Sequence, residues 1–204
     1  MIWKPFLVAM ALASTSVGAT LAHAECTYNL NADGVQAEWT AFKFTSKAPV
    51  SGNFADTTLE GPREAKTLTA LAEGLSMKIV GKSVKTGNPG RDATVAGFFF
   101  AFMKDSGNIT GKATKVEGDD TSGTVHIDIT MNGETRDVPF AYTIGKDGTV
   151  AAKASIDILD FRMKPAYDQI HKACEGQHTG DDGISKTWTQ VDLALRGNFT
   201  SNCG

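Results

Sequence analysis

Beyond its first 24 residues the chain has no apolar run approaching the roughly 20 residues that a membrane span needs, so stable insertion in a bilayer is not expected. It also lacks an excess of positive charge: 20 Lys and Arg stand against 23 Asp and Glu, which removes any general attraction for phosphate backbones and excludes a nucleic-acid partner. Catalytic signatures are missing too. There is no nucleophile elbow, no H-E-x-x-H, no phosphate loop and no dinucleotide fingerprint, so neither an enzyme nor a cofactor is expected. The paired acids Asp119-Asp120 and Asp181-Asp182 lie in glycine-rich loops and read as solvated. No linker divides the chain, and residues 25–204 suit one domain with an ordinary core.

The first 24 residues read as an export signal: Lys4 provides the positive start, residues 6–13 the apolar run, and Ala22-His23-Ala24 a small-x-small cleavage site. Cleavage before Glu25 removes one base and no acid, leaving 19 bases against 23 acids. A periplasmic or secreted protein is expected, in which cysteines can pair. Cys26, Cys174 and Cys203 leave one over. Cys26 and Cys203 lie near the chain ends, which meet if the first and last strands close a barrel, so that pair is favoured; Cys174 with Cys203 is the competitor.

Short segments of alternating polarity, punctuated by glycine, indicate an antiparallel all-β protein with few helices. The clearest part is a meander. Val125, Ile127 and Ile129 alternate with polar residues up to Asn132-Gly133, a type I′ turn; Val138, Phe140, Tyr142 and Ile144 follow; then Asp147-Gly148 turns into Val150, Ala152, Ala154, Ile156 and Ile158. Upstream, residues 35–44 place Val35, Ala37, Trp39 and Ala41 on one face, with Phe42 and Phe44 on the other. Residues 52–57, 75–84 and 108–116 read as further strands, and residues 187–199 as a last one with Val191, Leu193 and Leu195 on one face. Helical spacing predicts short helices over 63–73, stopped by Gly74, and from Pro165 to Cys174, stopped by Gly176. Seven or eight strands with few helices point to a closed barrel, which removes exposed edges.

The most unusual stretch is S-V-K-T-G-N-P-G-R-D-A-T-V-A-G-F-F-F, residues 83–100, in which turn residues lead into a short helix delivering Phe98, Phe99 and Phe100, with Phe102 just beyond. Three adjacent rings cannot all point one way, so the segment reads either as the lid of an apolar cavity or as a plug closing one barrel end. It resembles the signature of YceI-like proteins, in which S-x-x-T-G-N precedes R-D and a pair of phenylalanines. Further matches stand in order: E-W-T-A-F-K from Glu38, V-S-G-N-F from Val50, I-T-G-K from Ile109, I-T-M-N-G-E-T from Ile129 and A-S-I-D-I-L-D-F from Ala154. The resemblance implies a lipocalin-like, extended, eight-stranded antiparallel barrel capped by helices, with a tunnel for a long isoprenoid or fatty chain. Thr94 departs from the His or Lys of many relatives, and residues 165–183 are longer than in simple members, which leaves a ligand's polar head unassigned.

Candidate lining residues are Trp39, Phe98, Phe99, Phe102, Phe140 and Tyr142, each also fit for ordinary core packing. Arg91 and Asp92 either pin their turn to the barrel rim or meet a polar head group. His171, Cys174 and His178 form H-x2-C-x3-H, a pattern a metal or haem could use, but Gly176 and oxidation of Cys174 speak against it and no metal site is assigned. The favoured partner is a long-chain apolar small molecule, and a homodimer is compatible with the sequence. Two readings compete with a periplasmic lipid carrier: a stress-related interaction module with a filled core, and an enzyme acting on lipids.

Overall fold

Alternating polarity turns into one antiparallel sheet, described for residues 25–203 in a computed structural model; the expected export leader, residues 1–24, lies outside the described residues. In chain order the elements are β1 (Cys26–Leu30), β2 (Gln36–Lys43), β3 (Ala48–Phe54), β4 (Thr57–Glu60), β5 (Glu64–Ala65), α1 (Leu68–Glu73), β6 (Ser76–Val80), β7 (Val84–Lys85) and α2 (Pro89–Phe98). They continue with β8 (Asn108–Gly118), β9 (Ser122–Met131), β10 (Glu134–Ile144), β11 (Thr149–Asp157), α3 (Lys164–Ala173), α4 (Glu175–His178) and β12 (Thr187–Cys203). Asn132 (φ 55°) and Gly133 (φ 79°) supply the two left-handed positions that let Met131 face Glu134 directly, so the β9–β10 register follows from the turn.

The strand order is β4-β6-β8-β9-β10-β11-β12-β2-β3-β7, with β1 on β12 and β5 on β1. Its two ends belong to the same pair of chain stretches. β3 runs on into β4 and β6 into β7, and the bonds Ala55 N–H to Ser83 O (3.0 Å) and Val80 N–H to Asp56 O (3.0 Å) cross the break. The sheet therefore curls back on itself into a barrel, which leaves inward and outward residues alternating along every strand.

The expected eight strands are twelve. The single strands expected over 52–57 and 75–84 are each two, β3 with β4 and β6 with β7, and β1 and β5 add an outer pair. The break at 81–83 has a steric cause: a side chain at Gly81 would stand 2.3 Å from the Phe100 ring and from the Gly107 carbonyl, so the strand tightens into a 3-10 turn beneath that ring. The first helix starts later than expected, because Thr67 caps it by accepting from Ala70 N–H (3.1 Å) while Glu64 and Ala65 pair with β1. The second breaks at Cys174 rather than Gly176, which sits inside α4.

Buried packing concentrates at one end of the barrel, under α2 and α3, where Val84, Phe100, Met103, Phe161, Met163 and Ala166 are all nearly inaccessible. Asn132 ties this end together: its Nδ2 donates to the carbonyls of Phe161 (2.9 Å) and Arg162 (3.1 Å), and its Oδ1 accepts from Lys104 N–H (2.8 Å). At the opposite end, Cys26 and Cys203 form the expected disulfide, joining β1 to the end of β12 across 177 residues of sequence.

Candidate ligand-binding cavity

The inward rows alternate large with small side chains, and the small ones leave a gap across the barrel. Val35 leads into a row that β2 continues with Ala37, Trp39, Ala41 and Lys43; facing rows add the small residues Val50, Gly111, Ala113 and Ala152. A hollow of about 930 Å³ remains, near the top of the roughly 300–1,000 Å³ range of small-molecule sites. Inward Val191, Leu193 and Leu195 stay only half-buried, because their inner sides border this space.

Of the rings proposed from sequence, Trp39, Phe99, Phe140 and Tyr142 stand on the cavity wall. Phe98 and Phe102 do not: they are 45% and 48% exposed on the outside of the cap, while their neighbour Phe100 turns inward and is 5% exposed. The α-helix ends at Phe98 and a tighter turn follows, so successive rings of the phenylalanine run are redirected rather than spread around one helix. Phe100 packs edge-on against Phe54 and Phe99, with ring centroids 5.8 and 5.2 Å apart. Gly52 makes room for Trp39, since a Cβ there would lie 2.7 Å from the indole. Tyr142 donates its hydroxyl to the Asp119 carbonyl (2.8 Å), and burial together with the charges of Asp119 and Asp120 raises its pKa.

Arg91 and Asp92 converge on one residue. Arg91 donates from Nε to Thr86 Oγ1 (2.9 Å) and from Nη2 to the Thr86 carbonyl (3.0 Å). Asp92 accepts from the Thr86 amide (2.8 Å) and hydroxyl (2.6 Å), and the hydroxyl bond chiefly holds its pKa below the usual carboxylate value. The pair clasps the turn in front of α2, which Asn88 caps by accepting from Arg91 N–H (3.0 Å). Arg91 borders the cavity and Asp92 does not.

The H-x2-C-x3-H residues gather at the same end around Thr187, with no metal geometry. His171 Nδ1 lies 3.1 Å and His178 Nδ1 2.7 Å from Thr187 Oγ1, while Tyr167 donates its hydroxyl to the Thr187 carbonyl (3.0 Å). Cys174 is buried and unpaired, and burial raises its thiol pKa. No group of three or more His, Cys, Asp or Glu among the described residues is placed to hold a metal ion. His178 borders the cavity here together with Lys43, Gln177 and Thr187, and these last three were not among the residues singled out from sequence. A signal for Lys43 existed, because it continues the inward row of Val35, Ala37, Trp39 and Ala41.

The family model of the YceI-like domain matches residues 28–196. The chain belongs to the YceI-like family. Among solved structures, a polyisoprenoid binding domain from Saccharophagus degradans implicated in plant cell wall breakdown superposes with a TM-score of 0.57 at 14% identity, over 86% of this chain and 98% of that one. BcnA of Burkholderia cenocepacia gives 0.56 at 15% identity, over 84% and 99%, and the YceI protein of Campylobacter jejuni 0.52 at 22%, over 77% and 86%. At these identities the likeness establishes the shared YceI-like barrel. No sequence among curated proteins matches the chain.

Proposed function

We propose that this YceI-like protein is exported and holds one long apolar chain, isoprenoid or fatty, inside its barrel, as a binding or carrier protein with no catalytic step of its own. The hollow carries the reading: a wall of aliphatic and aromatic carbon encloses about 930 Å³ that a solid core would have filled. Each methylene leaving water contributes about 0.8 kcal/mol, so ten of them offset only the lower part of the roughly 4–15 kcal/mol that association costs. The site therefore favours long tails over short ones. Support for export comes from the Cys26–Cys203 disulfide, which persists in oxidising compartments. Support for the ligand class comes from the family and from the Saccharophagus neighbour described as a polyisoprenoid binding domain.

The test is native mass spectrometry of the purified protein, followed by solvent extraction. One apolar-chain molecule per protein is expected, and it should disappear from Ala41→Trp, which fills the hollow from β2 while leaving the fold intact. Wild-type protein that carries nothing and takes up no long-chain lipid when offered it would refute the reading.

A further inference from the structure

We infer that the cavity binds its amphiphile in one direction, with an anionic head group at the helix-capped end on Lys43 and the tail running toward Tyr142. This rests on the lipid-binding reading above and adds the chemistry of the head. Lys43 and Thr187 are direct cross-strand partners where β2 meets β12, so the ammonium and the Thr187 cluster share the same end of the hollow. Lys43 is half-buried as a residue, borders the hollow, and holds its ammonium 4.5 Å from the centroid of the Phe44 ring. Among the described residues no carboxylate is within salt-bridge distance of it. A cation on the wall of an apolar hollow with no carboxylate partner is poised for an anion that enters the hollow with its tail.

The neighbours supply further donors. The Thr187 hydroxyl stands within hydrogen-bond distance of Nδ1 of both imidazoles at this end of the hollow. His178 borders the hollow beside Thr187, and Gln177, whose side-chain amide is a further donor, stands exposed at the rim next to it. Outside the hollow at this end, Lys47 and Lys186 add positive charge over the Trp188 ring, at 5.2 and 5.0 Å from its centroid. The other end has the opposite charge: Asp119 and Asp120 border the hollow beyond Tyr142 and would repel an anion. That polarity sets the orientation.

Carboxylate and phosphate share the required chemistry, and matched ligand pairs separate them. Oleate against oleyl alcohol, and farnesyl phosphate against farnesol, would be titrated by displacement of a neutral fluorescent probe from wild type, Lys43→Met and the remote control Lys146→Met. Expected is a preference of about tenfold or more for one or both charged ligands in wild type and in Lys146→Met, since charge-assisted hydrogen bonds are worth that much. In Lys43→Met the preference should collapse while the alcohols and the probe bind as before, which also shows that the variant is folded. The ligand pair that loses its preference identifies the head group. An unchanged preference in Lys43→Met, or no preference in wild type, overturns the head-group assignment and leaves the tunnel standing; failure of all four ligands to bind wild type overturns the tunnel itself.

Discussion

The two ends of the barrel are closed by different physics. At the helix-capped end the closure is packing: Phe161 and Met163 are each 1% exposed, Phe100 fits over Gly81, and Asn132 joins a hairpin to two connections. At the other end the closure is covalent and thin, with Cys26–Cys203, the two-stranded contact of β1 with β5, and the six-residue α1. Between them the barrel stays open because its inward rows alternate large with small. The difference teaches that stability and binding are separated along the barrel axis: the packed end carries most of the core and also the polar cluster, while the disulfide end holds the last strand in place.

The comparison can be broken most sharply by truncating a packed ring. Phe161→Ala should cost about 3–5 kcal/mol, because transfer and cavity costs add in a filled site, whereas Leu193→Ala, which faces the hollow, should cost only about 1–2 kcal/mol. Urea unfolding of both variants measures this, and equal losses would mean that the two regions are not packed differently. Next in size is the tie at the far end. Replacing both Cys26 and Cys203 by Ser should lower stability by about 2–4 kcal/mol, read as a lower Tm that reductant no longer changes, with ligand affinity at the helix-capped end retained. A loss of binding as large as the loss of stability would show that the ends are coupled.

The smallest effect is a difference in pH response between two histidines. His178, at the packed end, has its pKa lowered from 6.5 by burial and then by the charges of Lys43 and His171. Near pH 6.5 and below, the unfolded chain takes up a proton that the folded one refuses, so this residue's contribution is lost as pH falls toward the lowered value. His126, on the outer face of β9, has its pKa raised, first by its bond to Asp137 and with help from Glu117. Its contribution is present below 6.5 and lost as pH rises through the raised value. Thermal melts between about pH 5 and 8 should therefore gain stability at the acid end in His178→Gln and lose it there in His126→Gln, relative to wild type. Shifts of the same sign in both variants would contradict the assignment.

Much of the barrel was legible in the residues themselves, because a period of two is imposed by backbone geometry and the turn at Asn132-Gly133 sets its own register. The rows of Trp39, Phe140, Tyr142 and Leu193 could be assigned to one side of a sheet on that ground alone. Cys26 with Cys203 was only the favoured pair, conditional on the chain ends meeting in a closed barrel, and the pairing of β1 with β12 decided it over Cys174 with Cys203. The phenylalanine run was misleading at Phe98 and Phe102, because the direction of each ring depends on where α2 gives way to a tighter turn, and that depends on Gly81 lying beneath Phe100. Nor could spacing bring Lys43 to Thr187. Their pairing needs β2 beside β12, and a register shift between Thr187 and Val191 places it. The local pattern decided which residues face inward; only the closed sheet decided how much space they leave and which charge waits at each end, since volume and potential are sums over strands distant in sequence.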